Sequence, residues 1–285
     1  MTGTDEPVGT ALARMRRARM LTGAALAARV GMSQPKISRI ERGKGTVDPA
    51  DVRKLARALG ASRDETRRLV ERAELSYERL TDWRPGSASL ASRQTTVGDW
   101  ERAAEVIREF QPVAVPGLLQ SSGYAEAVLN GIQQLIMDDP EPTPVVLAAV
   151  AERVRRQQLL GDRRKSFRFV VTESALRNEV CDPAEMLAQM GRLREATARP
   201  NVDIGVIPDG VPLALAPMHG FMVVDDSLLI VDVFNTGLLS RSRTDIASYR
   251  RIFDIFAGQA GPPESLLDKY ESYYIDRLRA RRPAL

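Results

Sequence analysis

Residues 22–43 read TGAALAARVGMSQPKISRIERG and contain two short helical patterns separated by a glycine. In the first pattern, Leu26 and the small alanines around it form one apolar face. Gly31 then supplies the backbone freedom that a sharp turn requires. In the second pattern, Ile37 and Ile40 direct an apolar side back toward the first helix. The spacing therefore predicts two packed helices joined by a tight turn.

The second helix of this pair is predicted to carry its polar residues outward. Ser33 can act as its N-cap, and Pro35 falls in the first turn, where a missing donor is harmless. Donors and cations on the other faces indicate a DNA-reading helix-turn-helix, and the alternative is an ordinary helical hairpin. The residues predicted to lie nearest base edges are Gln34, Lys36 and Arg39. Those predicted to contact phosphates are Thr22, Ser33, Ser38, Arg42 and Lys44.

The run LTGAALAARVGMSQPKISRIERG resembles the Xre-type (lambda-repressor-like) helix-turn-helix, whose members read roughly LTQxxLAxxxGVSQxxISRIExG. This resemblance implies a mainly α N-terminal domain of five helices. It also implies that Arg16 pairs with Glu41, as a structural ion pair and not as a reader of bases. The sequence departs from the family at Gly23, where a Gln that touches DNA phosphate is usual, so that one anchoring contact is missing from the prediction.

Composition places the chain among soluble globular proteins. Its 285 residues are 44% hydrophobic and 27% charged, which is enough for one large domain or two ordinary ones. No apolar run approaches the roughly 20 residues that span a bilayer, and the first residues lack a secretory pattern. The single cysteine, Cys181, excludes an intramolecular disulfide and a Cys-rich metal site. We therefore expect a cytoplasmic protein that does not bind membranes.

Charge is distributed unevenly along the chain. Residues 1–80 contain 17 Arg and Lys against 10 Asp and Glu, a net charge of +7, whereas the remainder carries 24 against 27, a net charge of −3. A basic N-terminal part favours binding of a polyanion through that part alone. The alternative is that the arginines reflect the codon usage of a GC-rich genome.

The patterns predict a helix-turn-helix domain over residues 8–80, a linker over 81–98 and a second domain over 99–280. In the second domain, a helix is predicted over residues 99–110, and alternating apolar residues predict four strands farther on. The fold class expected there is α+β, with a small, mainly antiparallel sheet. Arg153, Arg155 and Arg156 lie on the flank of another predicted helix. We interpret them as a solvated face, with a second nucleic-acid patch as the weaker alternative.

The second domain resembles the C-terminal domain of actinobacterial WhiJ-type, antitoxin-like transcriptional regulators, a domain of unknown function. The segments that carry the resemblance are FQPVAVPGLLQSSGYAEAVL, RFVVTESALRN and RPNVDIGVIP. Family members are usually encoded beside a small BldB-like protein, in an arrangement similar to a toxin–antitoxin pair. The resemblance therefore implies a small protein partner for this domain.

Few residues support catalysis or metal binding. His219 is the only histidine and is interpreted as a structural hydrogen-bonding group. Cys181 precedes a predicted helix start, a position that can lower a thiol pKa, although an isolated thiol is usually inert. Asp225, Asp226 and Asp232 fit turn chemistry better than a cation site. We expect no cofactor, no metal and no catalytic residues.

These observations together predict a sequence-specific transcriptional regulator. A single helix-turn-helix covers too few base pairs for specificity, so a homodimer on double-stranded DNA is expected. The second domain would receive a small protein partner or a small-molecule effector. Two alternatives stay open: an antitoxin that sequesters a small protein and binds DNA only for autoregulation, and an enzyme tethered to DNA that uses His219 or Cys181.

Overall fold

The computed structural model describes residues 6–43, 47–77, 81–83, 90–136, 142–233 and 236–281. The chain divides near residue 80 into two compact units. None of the described helices combines the length and the apolar character needed to cross a lipid bilayer.

The first unit is helical, as predicted. Its described helices are α1 (Val8–Ala18), α2 (Gly23–Val30), α3 (Gln34–Glu41), α4 (Pro49–Ala58) and α5 (Arg63–Tyr77). Their apolar stripes meet in one core, in which Leu12, Leu26, Ile37, Leu55 and Leu59 are almost fully buried. Burial of such side chains, at about 1.5–3 kcal/mol each, is what holds helices this short together.

Local signals set the helix ends of this unit. The side chains of Thr22, Ser33 and Asp48 each accept a hydrogen bond from a backbone amide in the first turn of α2, α3 and α4. Gly31 ends α2 with a φ of 65°, in the left-handed region that costs a glycine nothing. The turn between α2 and α3 is therefore determined by the sequence itself.

The second unit combines helices on both faces of one sheet. Its helices are α6 (Leu90–Ala103), α7 (Ser122–Ile136), α8 (Thr143–Arg156), α9 (Ser174–Arg177), α10 (Pro183–Thr197), α11 (Arg243–Ala257) and α12 (Glu264–Arg281). Its strands are β1 (Thr81–Trp83), β2 (Val106–Gln111), β3 (Ser166–Thr172), β4 (Val202–Ile207), β5 (Phe221–Val224), β6 (Leu228–Val233) and β7 (Thr236–Ser240). Their order across the sheet is β1-β7-β6-β5-β2-β3-β4.

The sheet is mixed. Strand β2 pairs in parallel with β3, and β3 with β4, whereas β5 pairs antiparallel with both β2 and β6. One face packs through Phe167 and Phe169 on a core that includes α10 and α12. The other face packs through Phe110 on Phe253 and Phe256 of α11.

The prediction of a small, mainly antiparallel sheet is met only roughly. Among the described pairings, β1–β7, β2–β5 and β5–β6 are antiparallel and β2–β3 and β3–β4 are parallel, and the sheet is larger than expected. The sheet has six strands and a three-residue edge strand, β1, in place of the four strands expected. The main cause of this difference is β2, which lies inside the segment 99–110, where the sequence predicts a helix. Helix α6 ends at Ala103. The Asp225 carboxylate then accepts hydrogen bonds from the backbone amides of Glu105 and Val106, where β2 begins.

The predicted linker over residues 81–98 is also corrected. Residues 81–83 form β1, which pairs with β7, and α6 begins at Leu90, a buried residue. The Ser, Thr and Gly content of 90–98 gave a loop-like pattern. In the structure, however, this segment packs against α8, and burial of one helix side outweighs the weak helix propensity of these residues.

Candidate nucleic-acid interface

Helix α3 presents one polar side to solvent. Ile37 and Ile40 are buried against α1 and α2, so that the opposite side of the helix faces outward. Gln34 and Arg39, two of the predicted base-reading residues, are exposed. Among the described residues, Arg39 has no carboxylate within ion-pair distance. A long cation with no competing partner on a short, protruding helix can enter a major groove.

Lys36, the third predicted base-reading residue, has a different environment. Its Nζ lies 2.6 Å from Oδ2 of Asp51, in the first turn of α4, and its side chain is 42% exposed. The ammonium is thus held at the flank of α3 by a carboxylate. Contact with a base requires this ion pair to break, at a cost of about 1 kcal/mol, because Lys36 is exposed although Asp51 is only 15% exposed.

Of the predicted phosphate contacts, Thr22, Ser33 and Arg42 cap helices, and Ser38 lies within α3. Thr22 and Ser33 are exposed N-caps, and each hydroxyl accepts from a backbone amide while its own hydrogen can still be donated to a phosphate. Arg42 donates to Ser38 through Nη2–Oγ at 2.7 Å and through Nε to the Ser38 carbonyl. Lys44 lies outside the described residues.

Arg16 and Glu41 lie together at the junction of α1 and α3. Arg16 donates from Nε to Oε1 at 2.6 Å and from Nη2 to Oε2 at 2.7 Å, and its Nη1 donates to the carbonyl of Leu21 at 2.6 Å. The two side chains are only 15% and 12% exposed. Hydrogen bonding to Glu41 raises the pKa of Arg16. This bidentate arrangement fixes the C-terminal end of α3 relative to α1.

Comparison with known protein families gives two matches. Residues 7–69 match a helix-turn-helix domain, which includes α2, the turn and α3. Residues 94–268 match a domain described as a domain of unknown function (DUF5753), and this match covers more than half of the chain. The chain belongs to this family. The comparisons with curated proteins and with solved structures find no match.

In the DUF5753 domain, the two candidate catalytic residues, His219 and Cys181, lie in environments that do not favour catalysis. His219 Nδ1 lies 3.1 Å from the carbonyl of Gly220, and its Nε2 lies 3.2 Å from the hydroxyl of Tyr249. Burial, with the Glu185 and Asp182 carboxylates, raises the pKa of the Cys181 thiol to about 12. The nearby helix start does not lower this pKa, because the thiol is partly buried and the Asp182 carboxylate itself caps that helix.

Asp225, Asp226 and Asp232, the three aspartates that could have bound a cation, each have different partners or surroundings. Asp225 accepts from backbone amides at the start of β2, with a φ of 50° in the β5–β6 turn. Asp226 pairs with Arg250 of α11 at 2.6 Å. Asp232 lines a different part of the domain, beside α6 and α8. Among the described residues, no group of three potential metal ligands is present.

Sequence reasoning missed a buried polar cluster in the DUF5753 domain. Arg156 of α8 is 5% exposed and lies 3.3 Å from Glu101 of α6, which is 2% exposed. Arg153 donates to Gln94 and Gln120. The interpretation of these arginines as a solvated face is therefore wrong for two of the three, and only Arg155 is exposed, paired with Glu152.

A glycine in the middle of α6 signals this cluster. A Cβ on Gly98 would lie 2.8 Å from Cδ of Arg156, so the helix needs a residue without a side chain there. Glycine inside a helix costs about 1 kcal/mol relative to alanine. Its presence is explained by the close approach of α8.

Proposed function

We propose that this protein is a sequence-specific transcriptional regulator that binds double-stranded DNA with α3 in the major groove. In this proposal Gln34, Lys36 and Arg39 read base edges. Phosphate contacts come from Thr22, Ser33, Ser38, Arg42 and Lys44. Gln pairs with adenine and Arg with guanine through two hydrogen bonds each, and a good pair discriminates by about 1–3 kcal/mol.

The observation that carries the proposal is the outward polar side of α3. Its two isoleucines are buried, and Gln34 and Arg39 project from the surface of a domain that matches a helix-turn-helix family. The excess of positive charge in residues 1–80 supports attraction to a polyanion. Arg16 and Glu41 are proposed to hold α3 in place and not to contact bases.

The proposal includes a homodimer. One recognition helix covers too few base pairs for a unique site, so two copies would read half-sites about one helical turn apart. The DUF5753 domain is proposed to change DNA affinity by receiving a small molecule or a small protein partner. The finer likeness to WhiJ-type regulators with a BldB-like partner, and the antitoxin-like role that goes with it, stay predictions.

The test is selection of bound sequences from a pool of randomised duplexes, followed by titration of the selected site. Gln34→Ala and Arg39→Ala should each change the preferred base at specific positions and weaken the wild-type site by about 10- to 100-fold. Arg42→Ala is the matched control, because it should weaken all sites alike and reduce the salt dependence. Unchanged site preference in both reader variants would overturn the assignment.

A further inference from the structure

A cavity of about 280 Å³ lies inside the DUF5753 domain, between α6, α8 and the sheet. Six of its lining residues are charged: Arg93, Glu101, Glu109, Arg153, Arg156 and Asp232. Another part of its wall is apolar and includes Val97, Val115 and Met222. The charged lining is balanced, with three guanidinium groups and three carboxyl groups. Glu101, Glu109 and Arg156 are buried, and burying charged groups is costly because they lose their hydration.

The charged groups of the cavity are incompletely paired. Glu101 Oε2 and Arg156 Nε lie 3.3 Å apart, yet both atoms are buried and neither makes a hydrogen bond within the described protein. Nε of Arg93 is also buried and makes no hydrogen bond within the described protein. The Arg16–Glu41 pair, in contrast, makes two short, aligned hydrogen bonds. A purely structural ion pair would be expected to resemble the Arg16–Glu41 pair, because an unsatisfied buried polar atom costs about 1–3 kcal/mol.

Other contacts hold the guanidinium groups in position. Arg153 Nη1 donates to Oε1 of Gln120 at 2.7 Å, and its Nε donates to Oε1 of Gln94 at 3.1 Å. Arg156 Nη1 donates to the carbonyl of Gln94. Gln94 and Gln120 are themselves buried. Side chains locked by buried neighbours form a preorganised site, which lowers the entropy cost of binding.

We propose that this cavity binds a small zwitterionic molecule with an apolar body, of which an apolar amino acid is the simplest example. The guanidinium groups would take the anionic group of the ligand, and the carboxyl groups would take its ammonium group. The apolar wall would cover the rest of the molecule. The volume lies just below the range typical of drug-sized ligands, which favours a molecule of amino-acid size.

Proton binding gives this proposal a distinctive signature. Burial raises the pKa of Glu109 to about 8 and that of Glu101 to about 7. The carboxylates of Glu101 and Asp232 raise the pKa of Glu109, and Gln111 and Arg156 lower it. The cation of Arg153 also interacts with Glu109. Near pH 7, Glu109 is therefore mostly protonated in the free protein. An ammonium group favours the carboxylate, so its binding should release a proton, and affinity should rise between pH 6 and pH 8.

The inference deepens the effector-receiving role in the proposed function, but it is tested on the full chain without DNA. Isothermal titration calorimetry is carried out with the twenty amino acids, each up to about 10 mM. The amino acid that binds most tightly is then compared with its amide, which lacks the carboxylate, and with its deaminated acid, which lacks the amine. For L-leucine these are leucinamide and 4-methylpentanoate. We expect at least one zwitterion to bind, with both single-charge analogues at least about tenfold weaker (1.4 kcal/mol per tenfold). Repetition in two buffers of different ionisation enthalpy should show proton release.

Glu109→Gln is the decisive variant, because it keeps the shape and the hydrogen-bonding capacity of a carboxyl that is mostly neutral in the empty cavity. We expect a folded protein with at least about tenfold weaker binding and no proton release. Asp99→Asn, which removes an exposed carboxylate of α6 paired with Arg102, is the matched control and should bind normally. If no amino acid binds, or if a single-charge analogue binds as well as the zwitterion, the inference is overturned. DNA binding by the same preparation would show that the proposed function is unaffected.

Discussion

Two pairs of arginines three residues apart lie on α3 with its C-cap and on α8: Arg39 and the C-cap Arg42 in the first, and Arg153 and Arg156 in the second. In α3 both arginines are exposed, and Ile37 and Ile40 occupy the buried side. In α8 both arginines face a cavity shared with α6 and β2. Desolvation lowers the pKa of Arg153 to about 10, which reflects the cost of reduced hydration around a cation.

The difference follows from where the arginines fall relative to the apolar stripe of each helix. In α8, Arg153 and Arg156 continue the stripe that Val146 and Ala149 begin, at intervals of three and four residues. In α3, the arginines fall opposite the isoleucines. Cations that continue an apolar stripe indicate a buried polar site, whereas cations opposite it indicate a surface for a polyanion. Residue counts alone cannot separate the two cases.

The largest expected effect comes from breaking the buried pair of α8. Arg156→Ala should destabilise the DUF5753 domain by about 3 kcal/mol, because Glu101 is left in a buried site without its cation. Hydrogen exchange measured by mass spectrometry, which separates peptides of the two units, is the appropriate readout. Arg155→Ala, at the exposed neighbouring position, is the control and should leave the exchange of α6 and α8 unchanged. Equal effects of the two variants would contradict the distinction between them.

A smaller loss is expected when Arg16 is replaced in the first unit. Arg16→Ala removes two hydrogen bonds to Glu41 and one to the carbonyl of Leu21. The pair lies nearer to solvent than that of α8, so we expect about 2 kcal/mol, below the roughly 3–5 kcal/mol typical of fully buried pairs. The measurement is faster hydrogen exchange in α1 and α3, with the DUF5753 domain unchanged.

Arg14→Ala is the matched control for this variant, because Arg14 pairs with Glu6 at 3.2 Å on an exposed surface of the same helix. It should leave the exchange rates of α3 close to those of the unmodified protein. If Arg16→Ala behaves in the same way, then the pair does not hold α3 in place.

Features specified by nearby residues could be predicted from the sequence, and features specified by distant ones could not. Thr22, Ser33 and Asp48 cap their own helices, and Gly31 turns the chain between α2 and α3, so local chemistry suffices there. Strand β2 depends on partners far along the chain, since Ile107 pairs with Phe167 and Val224. Its apolar spacing fits a helix equally well. The sequence therefore predicts a helix over residues 99–110, although the structure has a strand in its second half.

For the candidate DNA-reading residues too, the sequence predicts features that nearby residues determine and misses contacts with distant ones. Their helix and its outward side follow from the positions of Ile37 and Ile40, which are local. The contact between Lys36 and Asp51 joins two helices, and the spacing of Lys36 gives no sign of it. The cavity of the DUF5753 domain was missed for a similar reason, because Glu101 and Arg156 are 55 positions apart in a sequence rich in both residue types.

The smallest expected effect tests whether Lys36 belongs with the exposed cations of α3. Asp51→Asn removes the carboxylate that holds the Lys36 ammonium, and with it a negative charge beside the proposed DNA-binding side of α3. We expect DNA binding to tighten by a few-fold, which corresponds to about 1 kcal/mol for a partly exposed pair. Glu74→Gln removes the same charge from an exposed position on α5 and controls for net charge. If Lys36 reads bases, Asp51→Asn should sharpen the preference at one position of the selected site, and Lys36→Ala should abolish that gain. If Asp51→Asn and Lys36→Ala each change affinity by the same factor at every DNA sequence, then Lys36 contacts phosphates only. Base reading would then depend on Gln34 and Arg39.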